Sequence, residues 1–482
     1  MCTNKQAAVR GFKARALVAG LLTLACLLVA APATAQVNYA VSGNTAYVAK
    51  SSGAFGNIVI ASTFNGLPVT SIAIDAFASC YFLTNVTIPN SVTSIGYLAF
   101  YNCISLTNVT LGNSVTNLGP SAFVNCGSLV SVNIPDGVTS FGDGVFSNCR
   151  SLTGVTIPDS VTSIGSLAFY DCRSLTSVAI PDSVTSIGGS AFSRSSSLTS
   201  VTIGNGVTNI GHGAFFGCTS LTNLSVDAAN PAYISLDGVL FDKAQTTLIT
   251  RAAARTGSYV IPGGVRSIEG GAFAYGRLTS VTIPDSVSRI GTSLYSGTFG
   301  GAFAGCSNLT NVIIGNGVTN IGYTAFFGCT SLTRVTIPAS VTNIGSSAFY
   351  GCSSLTNCTF LGNAPQLIFD MEAGGAWFAW VGAGARAYYY CGTTGWGANY
   401  GGLPTVTLFA PRIATGSAGV KPGGFGFTLL PCLTNQTIVV EASANLVNWQ
   451  PIWTNTLSGA SADFVDPEWF HHPMRFYRAR SN

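Results

Sequence analysis

Nine cysteines recur in register along this chain: Cys80, Cys103, Cys126, Cys149, Cys172, Cys218, Cys306, Cys329 and Cys352. Thiols in such a file could form disulfides, hold a metal or act as nucleophiles. Units stacked ~4.8 Å apart would bring neighbouring Cα atoms within disulfide reach, so distance alone does not exclude bridges. Five successive cysteines cannot all pair among themselves, however, and Ser195 fills the slot before Cys218. No Cys-x-x-Cys or histidine partner accompanies the file, which argues against zinc. Buried thiols used as small hydrophobes are the preferred reading.

The other polar candidates are weaker. Asp136, Asp159 and Asp182 share one turn position in consecutive units, and their carboxylates would stand ~5 to 10 Å apart, a separation that glycosidases use. Acid–base catalysis needs two carboxyls in different environments, and near-identical Pro-Asp turns make these alike. They read as turn residues rather than as catalysts or calcium ligands. His212, His471 and His472 lie in no serine- or cysteine-nucleophile motif, and His471-His472-Pro473 reads as a loop. Thr87, Thr110, Thr156, Thr202, Thr282, Thr336 and Thr359 form an outward column that could order water. Asn133, Ala179, Ser225 and Ile313 interrupt it, and β-propensity with solubility accounts for it.

Aromatic side chains are the remaining candidates. Tyr101, Tyr170, Phe216, Phe327 and Tyr350 each follow an Ala-Phe pair, and Trp377, Trp380 and Trp396 belong to a cluster reaching Tyr400. These could stack on a sugar or anchor a protein; packing between units and within an end cap is the competing reading. No residue pattern calls for a cofactor or a metal.

What must position these residues is a repeat. Phe77, Phe100, Phe123, Phe146, Phe169, Phe192 and Phe215 are each 23 apart, and the mark returns at Phe273, Phe303, Phe326 and Phe349. Leucine keeps step from Leu83 to Leu221 and again from Leu278 to Leu355. Such a period indicates a solenoid whose units cannot bury their own apolar faces and stack to do so. In one unit, Leu83, Val86 and Ile88 form a strand with Val86 and Ile88 inward and Thr87 outward. Pro89-Asn90-Ser91 ends it, since proline lacks a donor and asparagine bonds its own backbone. Val92 and Ile95 supply a second inward stretch, Gly96 a corner, and Ala99, Phe100 and Cys103 are expected on a single helical or 3₁₀ turn. About twelve units at ~4.8 Å predict a rod of roughly 55 to 60 Å with a parallel sheet along one side.

Composition agrees. The 482 residues are 47% hydrophobic and 8% charged with a mean hydropathy of +0.43, the reverse of a disordered chain. The net charge of +4 arises from Lys5, Arg10, Lys13 and Arg15; beyond residue 35, 17 basic side chains balance 17 acidic ones. A neutral surface gives no basis for holding nucleic acid.

L-x-x-V-x-I-P, V-T-x-I-G, Ala-Phe and a cysteine three before the next leucine resemble the BspA-like leucine-rich repeat family over about residues 58 to 360. The resemblance implies a leucine-rich-repeat solenoid with its sheet on the concave face. Relatives in that family include bacterial surface adhesins, so it also implies a non-catalytic binding scaffold. The partner would be an extracellular protein or, alternatively, a glycan held by exposed aromatics; a solenoid polysaccharide-active enzyme is the remote alternative. The scaffold is expected to be monomeric.

The flanks divide accordingly. Residues 1–35 combine a basic start, an apolar run from Ala16 to Ala31 and Ala33-Thr34-Ala35, the layout of a signal peptide cleaved after Ala35 for secretion or surface display. Cys26 after Leu24-Ala25 raises lipid attachment, against which Thr23 and the continuing apolar run argue. Nothing later approaches a membrane-spanning stretch. Residues 36–60 alternate like a β-hairpin cap, and 61–360 form the solenoid. Two insertions interrupt it: 227–259, where Asp237-Gly238 reads as the turn of a projecting hairpin, and a Gly-rich bulge at 292–301. Residues 361–411 are an aromatic and Gly-rich cap whose CGTTGWGANYGGLPTV resembles the closing element of secreted bacterial repeat proteins. Residues 412–482, with several short strands, read as a small β-sandwich resembling a C-terminal module of secreted bacterial proteins.

Overall fold

The computed structural model describes residues 36–291, 300–368, 377–379, 381–408, 412–414, 416–430, 435–459, 461–472 and 474–481. The expected signal peptide, nearly all of the insertion at 292–301, and Trp380 lie outside the described residues.

Each 23-residue unit is one coil with three walls. The L-x-x-V-x-I segment makes the front wall, where strands such as Leu83–Thr87, Asn108–Thr110, Ser131–Val132 and Gly154–Val155 pair in parallel with Val86, Val109, Val132 and Val155 in register. The V-T-x-I segment makes a back ladder of two-residue strands, from Ser94–Ile95 to Asn209–Ile210 and from Ser267–Ile268 to Gln366–Leu367. Threonine hydroxyls stitch both edges: Thr107 Oγ1 donates to Thr84 O at 3.0 Å, and Thr185 Oγ1 to Thr162 O at 3.1 Å. The glycine after each back strand from Ser94–Ile95 to Asn209–Ile210 is required by close approach. A Cβ on Gly188 would lie 2.3 Å from Ser166 N.

The third wall is not the helical turn expected at Ala-Phe. It is a run of turns, and the one helix among the described residues is the 3₁₀ turn Trp469–His471. Positive φ recurs in pairs four residues apart, at Leu98 and Asn102 or Leu167 and Asp171. That alternation aims amides along the rod axis, so Phe100 N donates to Ala122 O and Asn102 N to Val124 O in the next coil. A helical turn would have closed those amides on its own carbonyls.

Inside the walls the phenylalanines stack face to face. Centroid separations run from 5.0 Å for Phe77–Phe100 to 5.7 Å for Phe192–Phe215, and a second file runs from Phe273 through Phe303, Phe326 and Phe349 to Phe378. Each buried ring contributes ~1.5 to 3 kcal/mol before chain entropy.

The solenoid is opened at one end by the antiparallel hairpin Tyr39–Ser42 and Thr45–Val48, which joins the back ladder through Leu67–Ile72. Gly56–Val59, expected with that hairpin, instead starts the front wall beside Leu83–Thr87. In the first insertion Tyr233–Leu236 and Val239–Asp242 form the expected hairpin, with Asp237 and Gly238 at φ 50° and 69°. It does not project. Val239, Leu240 and Phe241 are buried, because this apolar run replaces the core of a missing coil, and Val239–Asp242 pairs with Thr247–Arg251 to re-enter the back ladder.

The C-terminal residues form two antiparallel sheets. Gly424–Leu430 pairs with Arg412–Ile413, Gly419–Lys421 and Ala462–Asp466; Gln436–Ser443 pairs with Gln450–Leu457 and Phe476–Ser481. They enclose a separate core of Phe427, Leu429, Ile438, Val440, Leu457 and Phe464.

Candidate ligand-binding surface

The residues with the most reactive chemistry are consumed by the fold. The column cysteines are free and buried; the Cys80 thiol donates to Ser51 O and each later one to the phenylalanine carbonyl of the preceding coil, as Cys103 Sγ does to Phe77 O at 3.1 Å and Cys149 Sγ to Phe123 O at 3.2 Å. Ser195 makes the same bond to Phe169 O at 3.0 Å, which explains why serine substitutes there. Burial pushes the thiols of Cys103, Cys218 and Cys306 up to about 12, far from a reactive thiolate. Cys391, outside the column, is disulfide-bonded.

Asp182 Oδ1 accepts Asn205 N at 2.8 Å, and Asp285 Oδ1 accepts Asn316 N at 2.6 Å, so these turn carboxylates staple adjacent coils. Asp136 and Asp159 hold the matching turn position and are exposed. His471 lies 3.7 Å from Glu468 in an exposed turn. No group of histidine, cysteine or carboxylate side chains among the described residues is arranged to hold a metal.

The aromatic candidates separate into small sets. Phe327 and Tyr350 stack at 5.4 Å on adjacent coils; Phe216 meets Tyr275 edge-on at 5.5 Å; Tyr170 carries the Arg194 guanidinium 5.7 Å from its ring. Tyr101 is half-buried three coils before Tyr170, with Val124 and Ser147 in the slots between them. Trp377 and Trp396 are half-buried in the end cap. Trp377 Nε1 donates to Ile368 O at 3.1 Å, and Trp396, stacked on Tyr389 at 4.8 Å, donates to Thr393 Oγ1 at 2.9 Å.

Register assembles a surface that motif reading did not isolate. Across the front wall of the second half, Val260 aligns with Thr282 and Ile313, and Thr336 with Thr359, Tyr388 and Val406. Val260 and Ile313 are 67% and 53% exposed, too much for core residues. In the neighbouring outward column Arg334 aligns with Asn357 and Arg386. The strands Thr256–Val260, Arg277–Ile283, Asn311–Ile314, Arg334–Ile337, Asn357–Phe360, Arg386–Tyr390 and Leu403–Leu408 contain no aspartate or glutamate. The sequence signal was the outward valine and isoleucine that break the threonine column, with arginines two residues before that column in neighbouring coils.

This face begins where the insertion interrupts the coils. On the back side of that junction lies a cavity of about 290 Å³ walled by His212, Tyr233, Asp242 and Glu269, with His212 Nδ1 3.3 Å from Glu269 Oε2.

Parallel coils of this length, a leucine-marked front strand and a stacked phenylalanine file define a leucine-rich-repeat solenoid. The chain belongs to the BspA type leucine rich repeat family: six copies of that repeat match across residues 70–196, 139–235, 252–300 and 299–368. Among solved structures, a leucine rich cell surface protein from Faecalibacterium prausnitzii is 32% identical, over 73% of this chain and 92% of its own, with a TM-score of 0.61. A leucine-rich repeat protein from Bacteroides ovatus is 27% identical over 74% of this chain and 93% of its own, with a TM-score of 0.48. Among curated proteins, none matches the chain. No helix among the described residues is long and apolar enough to cross a membrane.

Proposed function

We propose that this protein is a non-catalytic extracellular or cell-surface scaffold that binds another protein through the front wall of its second half. One observation carries the reading: an acid-free sheet face on which Val260, Ile313 and Tyr388 stand out among threonines, flanked by Arg334 and Arg386. An exposed apolar file with arginines beside it is the composition of a protein interface rather than of a solvated wall. Family membership and the likeness to a cell surface protein support the location, as does the sequence of residues 1–35. The end-cap tryptophans, whose indole N–H groups are satisfied internally, give less support to a glycan platform.

The test is an array of extracellular-matrix and cell-surface proteins printed beside glycans and probed with the exported protein. Saturable capture by a protein, reduced about ten-fold or more by Ile313→Lys, is the expected result. Capture by glycans alone, lost on Trp396→Ala, overturns it.

A further inference from the structure

The coil that carries the insertion has an arginine in the phenylalanine slot. Column phenylalanines donate their amides to the residue that precedes the next ring, usually alanine, as Phe192 N does to Ala214 O and Phe273 N to Ala302 O. Between Phe215 and Phe273 that bond is made by Arg251 N, to Ala272 O. Arg251 is 7% exposed, so a guanidinium replaces a benzyl group in the interior of the rod.

Its partners do not account for the charge. Nη1 donates to Arg255 O at 3.0 Å and the guanidinium lies 5.3 Å from the Tyr259 ring, but Nε is buried with no hydrogen-bond partner. No carboxylate pairs with Arg251 or Arg255 among the described residues. A buried guanidinium without a counter-charge is costly, and native proteins pair such groups or give them to a ligand. Burial lowers the Arg251 pKa, with the Tyr259 phenol opposing.

Arg251 opens onto a cleft of about 540 Å³, walled also by Asp237, Ala254, Arg255, Thr256, Ser258 and Tyr259. One wall is the strand Thr256–Val260, which ends its sheet and is hydrogen-bonded to a strand only on the Arg277–Ile283 side. Thr256, Ser258 and Val260 are exposed along it. The walls of the cleft carry the two arginines against the single carboxylate of Asp237, and Arg277 stands beside Thr256 on the neighbouring strand. A free strand edge takes an extended backbone, and a planar guanidinium beside it takes a carboxylate in two parallel bonds.

We propose that this cleft binds an acidic segment of a partner protein, laid in extended form along Thr256–Val260 with a glutamate or aspartate side chain on Arg251 and Arg255. This deepens the scaffold reading and rests on it, since the strand also begins the exposed file that runs through Ile313.

The full chain is titrated with a dye-labelled heptapeptide of alternating valine and threonine carrying one central glutamate, with its glutamine counterpart, and with glucuronic acid as competitor. The glutamate peptide should bind at least about ten-fold more tightly than the glutamine peptide. Arg251→Met, which keeps the apolar stem on Tyr259, should remove that preference. Arg255→Glu, on an exposed side chain, should weaken the glutamate peptide by about ten-fold or more and serves as the reading if Arg251→Met fails to fold. Equal binding of the two peptides, wild-type binding by both variants, or displacement of the glutamate peptide by glucuronic acid at or below the peptide's own concentration would each overturn the site. If both variants still capture proteins on the array while the peptides show no preference, the cleft is wrong and the scaffold reading stands; if wild-type protein captures none, the scaffold reading itself falls.

Discussion

The solenoid and the C-terminal module bury polar groups in different ways: the first chiefly by repetition, the second chiefly by ion pairs. In the solenoid, 23-residue repetition supplies the inner coils with neighbours on both sides, so its interior is mainly aliphatic and aromatic and its recurring buried donors are thiols on carbonyls. Ionic groups enter in single coils, as where buried Asp171 lies 2.9 and 2.8 Å from Arg150 Nε and Arg173 Nε, or where Arg251 fills a phenylalanine slot. The module has a core of only a few large side chains and sets carboxylates beside it. Buried Glu441 accepts Arg478 Nε at 2.6 Å and Arg480 Nε at 2.9 Å, while Asp466 accepts Tyr477 Oη at 2.9 Å and lies 3.0 Å from Arg475 Nε. Translational symmetry fixes register through repeated coils, so an ionic cluster such as Arg150–Asp171–Arg173 is a local addition that the register does not depend on. A small sandwich of unlike strands has no such device, and directional ion pairs choose which strands meet.

The largest expected break between the two regions is Phe146→Ala. It removes one ring from a file in which Phe123 and Phe169 lie 5.5 and 5.6 Å away. The loss should be about 3 to 5 kcal/mol, as for other buried aromatic truncations. Coils depend on their neighbours, so hydrogen exchange should rise across many coils on both sides of residue 146 and leave Gln436–Ser443 untouched. Exchange confined to one coil would show that coils are independently stable.

The solenoid was legible in sequence because its information is periodic: Phe100, Leu106 and Cys103 each repeat in one slot, and one unit explains the others. The third wall was not. Its amides depend on positive φ at residues such as Leu98 and Leu167, types that do not announce that conformation, and only stacked coils supply the carbonyls that hold them there. Arg251 escaped for a related reason. The insertion shifts the count by more than a period, so in TLITRAAAR it reads as one polar residue in a loop, and only the bond to Ala272 O reveals the slot it fills. The candidate aromatics were found by their column, but the outward face depends on register between coils of unequal length.

A second, smaller contrast concerns pH. Glu441 is held below the usual carboxylate range, first by the Arg480 hydrogen bond and then by Arg478. A depressed folded pKa stabilises above the unfolded value of about 4.3 and is lost as pH falls through the folded one, so the module should weaken in acid. The thiols of Cys103, Cys218 and Cys306 are shifted the other way, by burial. Their contribution is complete below the free-thiol value of about 8.5 and is lost as pH rises towards about 12, so the solenoid should weaken in alkali. Segment-resolved hydrogen exchange at pH 3.5, 7 and 10 reads both. Loosening of Gln436–Ser443 at pH 10 with no change at Val86 or Val109 would erase the distinction.

The finest test asks whether the thiol column acts through its hydrogen bond or through its volume. If Cys149 matters as a donor to Phe123 O, serine should serve nearly as well, because Ser195 already donates to Phe169 O in the same slot. Alanine would leave that carbonyl with only the Cys126 amide it already accepts, at 3.2 Å, and would open a small void. Cys149→Ala should therefore cost about 1 kcal/mol more than Cys149→Ser in urea denaturation, the scale of one net hydrogen bond. If alanine instead matches or exceeds serine, desolvation of the hydroxyl outweighs its bond, the column is a set of small apolar plugs, and the solenoid differs from the module in having no directional buried contact at that position at all.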